Sequence, residues 1–253
     1  MAQCIGHCQS FIFNFPIPDT MNHLKFAIFS ATAYGSCFNS QAAVIISEVL
    51  YNEPGSDPQG EWIEIFNNGA SLVILDGWSI GDEETEGATS GTESMYFFPT
   101  GATISPGEIQ IVSMGANQFL TLYGFLPTYE LVSADDNPDV PNLMLNSSWD
   151  PDGGIINLSN SNDQVLLLDS NNVLIDAVSW NSTFAFDPAL DSNAEGDGQS
   201  YFRIDPRTDT DTAADWALST GAALSSPGSI PEPSSGILIL ASGLLMLKRR
   251  RVA

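Results

Sequence analysis

The stretch Glu61-Trp-Ile-Glu-Ile-Phe-Asn-Asn-Gly69 decides the fold class. Successive side chains of an extended strand point to opposite faces, so Trp62 and Glu64 share one face and the two isoleucines share the other. The Asn-Asn-Gly end of the stretch then supplies residues that tight turns need. The stretch therefore predicts a β-strand that ends in a turn.

Seven similar runs lie on either side of this stretch. The predicted strands are residues 44–51, 61–66, 72–75, 95–98, 108–113, 154–158, 164–168 and 173–180. Clusters of Gly, Pro, Asn and Asp separate them, and only residues 117–123 could form one or two helical turns. Many short strands with such regular turns predict an all-β sandwich or barrel.

The charge of the chain is strongly one-sided, with 31 acidic residues against seven basic ones and a net charge of −24. Arg203 and Arg207 are the only basic residues between positions 44 and 247. Such an acidic body repels phosphate backbones, which argues against nucleic acid as a partner. Divalent cations and basic partners suit this charge, although surface acidity usually serves solubility.

All cysteines and histidines of the chain lie within its first 40 residues. They are Cys4, His7, Cys8, His23 and Cys37. If this front segment is removed, the mature protein has no Ser–His or Cys–His nucleophilic site. It also lacks thiolate and imidazole metal ligands and any disulfide. The sequence therefore predicts a protein that is not an enzyme.

Residues 21–42 have the arrangement of a signal peptide. Met21-Asn-His-Leu-Lys25 is a short basic start, and residues 26–38 form an apolar run too short to span a bilayer easily. Small residues then predict cleavage after Ala42, with Ala43 as the alternative. Residues 1–20 fit this signal poorly and are interpreted as an extension before the true start at Met21. A lipoprotein attached through Cys37 is a further alternative.

Residues 229–253 combine a proline motif, a short apolar helix and a basic end. The motif is Pro231, Glu232 and Pro233, and the basic end is Lys248, Arg249, Arg250 and Arg251. The apolar run between them is about 18 Å long as a helix, against about 30 Å of hydrocarbon core. This order resembles the PEP-CTERM sorting signal. The resemblance implies transient inner-membrane anchoring in a Gram-negative-type bacterium, cleavage by an exosortase-type protease, and release to the surface or the exopolysaccharide matrix.

The body, residues 43–228, resembles the lamin-tail domain (LTD), an immunoglobulin-like β-sandwich. The resemblance rests on Ile45-Ile-Ser-Glu48-Val-Leu-Tyr-Asn52, Glu61-Trp-Ile-Glu64-Ile-Phe-Asn67, Leu75-Asp-Gly-Trp78, Ile175-Asp176-Ala-Val-Ser-Trp180 and Gly198-Gln-Ser-Tyr-Phe-Arg203. It implies binding or structural roles without catalysis. Residues 126–153 match this pattern less well and are interpreted as an inserted loop.

A loop near the end of the body has the ligand spacing of a calcium site. Its candidate ligands are Asp191, Asn193, Glu195 and Asp197, with Gly196 at the turn, as in an EF-hand loop. Phe202 stands where that loop has a bidentate glutamate, so a solvated acidic loop is the alternative. No other cofactor is predicted.

The five tryptophans suggest a carbohydrate-binding platform or a core. Trp62, Trp78, Trp180 and Trp216 coincide with the lamin-tail pattern and are expected in the core. Trp149 lies in the interpreted loop, so we expect it to be exposed, and it is the candidate ligand contact.

The predicted function is an exported, non-catalytic surface or matrix module that binds polysaccharide or envelope proteins. Two alternatives remain. One is a carboxylate-only glycan hydrolase that uses Glu48, Glu61 or Glu64, since a glycosidase needs two suitably spaced carboxylates. The plainer interpretation is that these glutamates accept hydrogen bonds at strand edges. The other alternative is a calcium-dependent structural protein.

Overall fold

The computed structural model describes residues 43–54, 58–88, 93–180, 188–190, 198–219 and 226–229. It confirms the all-β sandwich that the short strands and turns predict. The predicted signal peptide and sorting tail lie outside the described residues. Within these ranges, no helix is long and apolar enough to cross a membrane.

Fourteen strands and one α-helix make up the described part of the chain. The strands are β1 (Val44–Leu50), β2 (Trp62–Asn67), β3 (Val73–Ile74), β4 (Ser79–Gly81), β5 (Met95–Phe97), β6 (Thr103–Ile104), β7 (Ile109–Ser113), β8 (Tyr129–Leu131), β9 (Asn142–Leu145), β10 (Asp163–Leu168), β11 (Leu174–Trp180), β12 (Ala189–Leu190), β13 (Tyr201–Arg203) and β14 (Trp216–Leu218). The helix, α1 (Ala116–Tyr123), ends at Gly124, whose φ of 78° gives the left-handed cap that glycine adopts readily.

Twelve strands form one continuous hydrogen-bonded sheet, which folds over into two layers. The order is β12-β11-β10-β4-β5-β9-β8-β7-β2-β1-β13-β14, and β3 pairs with β6 separately. Most pairs are antiparallel, but β8 runs parallel to both β7 and β9, and β12 runs parallel to β11. The β8–β9 pair joins the layer that contains β11 and β10 to the layer that contains β1 and β2.

The core lies between these two layers and takes one face of each central strand. Ile63 and Ile65 of β2 belong to it, together with Val165 and Leu167 of β10 and Trp180 of β11. All five side chains are fully buried. This confirms the predicted alternation in residues 61–66 and shows that the isoleucine face is the one that meets the core.

The other face of β2 points away from this core. Trp62 lies there in a second cluster with Leu50, Ile111 and Phe119 of α1. The Trp62 indole N–H donates to the Tyr123 hydroxyl at 3.0 Å. The helix therefore covers one end of the outer face of the β1–β2–β7 layer. We call this surface the outer face below.

Two of the sequence predictions about local structure are wrong. The interpreted loop at 126–153 contains β8 and β9, which are the strands that join the two layers. Residues 154–158, in contrast, form no strand. Buried carboxylates accept their backbone N–H groups instead, from Asn157 to Asp82 at 2.9 Å and from Leu158 to Glu61 at 2.9 Å. Ile156 still reaches the core.

Candidate functional site

Glu48 and Glu64 are the carboxylate pair that the hydrolase alternative requires. They are direct partners across β1 and β2, and both side chains are buried. Because residues of equal parity share a face, both lie on the outer face with Trp62. Of the three glutamates that the hydrolase alternative names, Glu48 and Glu64 are therefore the two that the strands place side by side.

Both carboxylates accept hydrogen bonds from a short C-terminal segment, residues 226–229. The Ser226 N–H donates to Glu48 Oε1 at 3.0 Å, and the Gly228 N–H donates to Glu64 Oε2 at 2.6 Å. The Ser47 hydroxyl also donates to Glu64, at 2.7 Å, and the Ser200 hydroxyl donates to Glu48. These bonds confirm the plainer interpretation of the two residues as hydrogen-bond acceptors.

The space beside this carboxylate pair is small. The cavity has a volume of about 10 Å³, which is roughly the room that one water molecule needs. Burial raises the pKa of Glu64 to about 8, and the neighbouring Glu48 charge adds to the rise. Burial likewise raises the pKa of Glu48. The arrangement can hold the segment 226–229, but a sugar ring does not fit beside it.

A second acidic group lies at the end of the β4–β5 hairpin. One carboxylate oxygen from each of Glu83, Glu84 and Glu93 lies within 4.8 Å of the other two. Glu83 is buried and Glu84 is exposed. The Gln164 side-chain amide donates to Glu84 Oε2 at 3.0 Å and so ties the group to β10. Oxygen ligands at this separation suit a hard divalent cation such as calcium.

The electrostatics of this hairpin group disfavour full ionisation. Burial, together with contact with Glu84 and the charge of Asp163, raises the pKa of Glu93 to about 8. Burial also raises the pKa of Asp163, to about 6. A proton or a bound cation would each relieve the repulsion between these groups.

Comparison with protein families bears directly on this acidic sandwich. The model of the Lamin Tail Domain family matches residues 39–182, more than half of the chain. The chain belongs to the lamin tail domain family. This is a non-enzymatic domain family, so the chain carries a structural or binding module.

Comparison with solved structures supports the same fold for this lamin tail domain. A crystal structure of a DUF4876 family protein from Bacteroides thetaiotaomicron VPI-5482 resembles it with a TM-score of 0.52 and 15% sequence identity. The match covers 76% of this chain and 75% of that one. At this identity the similarity concerns the fold alone. No curated protein matches the chain.

The predicted ligand contact of the lamin tail domain is placed differently from our expectation. Trp149 is only 7% exposed, and its indole N–H donates to the Glu83 carbonyl at 2.9 Å. It packs with Met95 and Leu166 because residues 146–150 turn back onto the β4–β5–β10 surface. The prediction that Trp149 is exposed is therefore wrong. Trp62, Trp180 and Trp216 are buried as expected, and Trp78 packs against the core while partly exposed.

Other predicted site residues lie outside the described part of the lamin tail domain protein. They are the calcium candidates Asp191, Asn193, Glu195 and Asp197, the cleavage position Ala42, and the sorting residues Pro231, Glu232, Pro233, Lys248, Arg249, Arg250 and Arg251. These assignments stay predictions.

The hairpin group was missed by the sequence analysis. Its signal was the acidic run Asp82-Glu-Glu-Thr-Glu86, followed after a short gap by Glu93. That run does not have EF-hand spacing, and Glu93 lies beside it only because β4 pairs with β5. A search for regular ligand spacing therefore passes over it.

Proposed function

We propose that this lamin tail domain protein is an exported, non-catalytic module that binds polysaccharide or envelope proteins outside the cell. An exosortase-type protease first sorts and cuts it at the inner membrane of a Gram-negative-type bacterium. The body then stays at the cell surface or in the extracellular matrix. The cut falls near the Pro231-Glu-Pro233 motif in this proposal, beyond the segment 226–229.

The closed Glu48–Glu64 pair is the observation that carries the non-catalytic part of the proposal. The pair has direct cross-strand register, yet both carboxylates are bonded to residues 226–229 beside a cavity of about 10 Å³. A glycosidase needs room between its carboxylates for the sugar and, in inverting enzymes, for a water. The absence of Cys, His and Lys between positions 44 and 247 supports the same conclusion.

Retention on isolated envelope polysaccharide tests the binding role. The purified protein is passed over immobilised native polysaccharide, with a neutral dextran resin of equal loading as the control. We expect saturable retention at micromolar protein on the native material only. Equal passage through both resins, together with no capture by envelope protein, would contradict the proposal.

A panel of glycan substrates tests whether the protein is non-catalytic, as proposed. We expect no turnover by the protein and none by the Glu64→Gln variant. Turnover that disappears in Glu64→Gln or Glu48→Gln would support the hydrolase alternative instead.

The hairpin group supports a second candidate function, a calcium-dependent structural protein. Glu83, Glu84 and Glu93 supply three converging oxygens on a surface that carries many further acids. Calcium would stabilise the hairpin by neutralising this group, because a ligand that binds only the folded state raises its stability. The role is compatible with the binding function, and its test follows in the Discussion.

A further inference from the structure

The outer face of the β1–β2–β7 layer is covered at one end and in the middle, and a groove lies at its far end, where Phe66 is buried. The helix α1 covers Trp62, and the segment 226–229 covers Glu64. The next residue of β2 on this face is Phe66, which pairs with Ile109 across β2 and β7. A groove of about 600 Å³ lies over this pair, between the turns at 67–69 and 106–107 and Arg207.

The loop that carries Arg207 is held in place on both sides. Asp205 accepts the Arg207 N–H with its side chain at 3.0 Å and the Thr208 N–H with its carbonyl at 2.9 Å. Further along, Asp209 forms an ion pair with the buried Arg203 at 2.8 Å. On the groove side, the Asn68 amide reaches the Pro206 carbonyl at 3.5 Å. These contacts hold the backbone of Arg207 beside the groove.

Arg207 is the solvent-facing cation of the described residues. Arg203, the other basic residue in these ranges, has a fully buried side chain that faces three carboxylates. The Arg207 side chain is 48% exposed, and its Nη1 lies 3.9 Å from Asp205 Oδ1. This contact is an ion pair that is too long for a hydrogen bond, so the forked donors of the guanidinium stay available to a second carboxylate.

We infer that this groove binds an acidic saccharide, with Arg207 pairing the carboxylate of a uronic acid residue. The inference rests on the proposed polysaccharide-binding function and names its site and ligand class. A guanidinium binds a carboxylate through two parallel hydrogen bonds. Asn68 at the rim offers a side-chain amide to sugar hydroxyls, and Pro106 and Ile109 offer an apolar wall to the ring.

The size of the groove suits this ligand, while its charge allows contact at one position only. Its volume of about 600 Å³ falls within the roughly 300–1,000 Å³ that is common for small-molecule sites. Physiological salt screens charges beyond about 8 Å, which weakens the repulsion between a uronate chain and the distant acids. Asp205, 3.9 Å from Arg207, lies within that distance, so the ligand competes with Asp205 for the guanidinium. Direct contact with Arg207 is not screened in this way. Binding of the acidic saccharide therefore depends on Arg207 alone, so substitution of this residue should weaken it strongly.

Titration calorimetry with two probes tests the inference on the full chain. The first probe is an oligogalacturonate of defined length, and the second is a neutral galactan oligomer of equal length. Arg207→Gln removes the charge, and Arg207→Lys keeps the charge without the fork. Val173→Glu, at an exposed turn between β10 and β11, lowers the net charge by the same amount as Arg207→Gln and is the matched control.

We expect the oligogalacturonate to bind the unchanged protein and the Val173→Glu variant equally. Binding by Arg207→Gln should be weaker by about tenfold or more, since a charged hydrogen bond is lost, with Arg207→Lys between the two. Equal binding by Arg207→Gln, or equal binding of both probes, would overturn the inference. If the Arg207→Gln variant is retained normally on native envelope polysaccharide, the groove is excluded but the proposed function stands. If the unchanged protein binds neither probe nor the native material, both fail.

Discussion

Arg203 and Asp176 form a buried ion pair that bonds the backbone of Ile46 in β1. The neighbouring strand β13 does not reach this residue, so the ion pair takes the place of strand pairing there. The Arg203 Nη2 lies 3.0 Å from both Asp176 carboxylate oxygens. Arg203 Nε donates to the Ile46 carbonyl at 2.8 Å, and the Ile46 N–H donates to Asp176 at 2.7 Å. Since β13 pairs with β1 only at Glu48 and Val49, both Ile46 backbone groups would otherwise lack partners on that side. The pair also connects β11 in one layer to β1 and β13 in the other.

Replacement of Arg203 by leucine should strongly destabilise the fold. Burial raises the pKa of Asp176 to about 7 although Arg203 opposes the rise, so the change leaves this buried carboxyl and the neighbouring Asp209 without their cation and without its hydrogen bonds. Removal of one partner from a buried ion pair costs about 3–5 kcal/mol. The free energy of unfolding, measured by urea denaturation, should fall by that amount.

Arg207→Leu is the matched control for this prediction, because it removes the same charged group from an exposed side chain. Surface substitutions usually change stability by less than about 0.5 kcal/mol. Equal effects of the two substitutions would show that the buried pair has no special structural role.

Stability should decrease as the pH rises from about 5 to 8. Burial raises the pKa of Glu64 from 4.5 to about 8, so the folded chain holds a proton that the unfolded chain releases in this interval. The stabilisation is full below the unfolded pKa and is lost as the pH passes the folded pKa. One such proton changes the free energy of unfolding by about 1.4 kcal/mol per pH unit.

Urea unfolding at pH 5, 6, 7 and 8 measures this dependence, and Glu64→Gln should reduce its slope by about 1.4 kcal/mol per pH unit. The rest of the slope should remain, because Glu93 and Asp163 also have raised pKa values. Glutamine stays neutral, so the variant loses the proton uptake of that position. Glu86→Gln, at an exposed position, should keep the full slope. A midpoint that rises with pH in the unchanged protein would contradict the assignment.

Calcium should raise the melting temperature through the hairpin group. A ligand at a hundred times its Kd stabilises the folded state by about 2.7 kcal/mol, which corresponds to several degrees. The increase should reverse with EDTA and disappear in Glu84→Gln or Glu93→Gln. Glu86→Gln, next to this group in sequence, is the control that should keep the response. Melting that is unchanged by calcium in the unchanged protein would exclude the calcium role.

The Gly81→Ala substitution should destabilise the hairpin that carries the acidic group. A methyl group at Gly81 would lie 2.0 Å from the Ser94 carbonyl oxygen and 2.8 Å from the Met95 Cα. Overpacking of this kind costs about 1–3 kcal/mol or more. Gly87→Ala meets no atom within 4 Å and should cost only about 1 kcal/mol for its positive φ. Thermal unfolding of the two variants compares them, and equal melting temperatures would contradict the close β4–β5 approach.

The sequence predicts the central strands well, because alternation and turn residues are local signals. It names Glu48 and Glu64 among three candidate carboxylates, but their pairing follows from the register of β1 and β2. It misses β8 and β9, which lie in an Asp-, Asn- and Pro-rich stretch and hold their places through pairing with each other and with β5 and β7. It also misses the role of Arg203, since that role depends on where β13 leaves β1 in the folded chain.

Some of the acidic residues have a structural role that composition could not reveal. Ten of its carboxylate side chains are buried within the described residues. They include Asp82 and Asp150, which accept backbone N–H groups from loops that no strand pairs with. Buried backbone donors need such partners, so these acids fix the loops of the sandwich. Surface solubility accounts only for the remaining acidic residues.

The intact mass of the protein recovered from the cell envelope or the medium tests the central proposal most directly. Export and sorting predict a chain that begins at Ala43, or at Val44 for the alternative cleavage, and ends near Pro231-Glu-Pro233. That chain retains the segment 226–229 that bonds Glu48 and Glu64. A full-length chain in the cytosol, with both termini intact, would contradict the account.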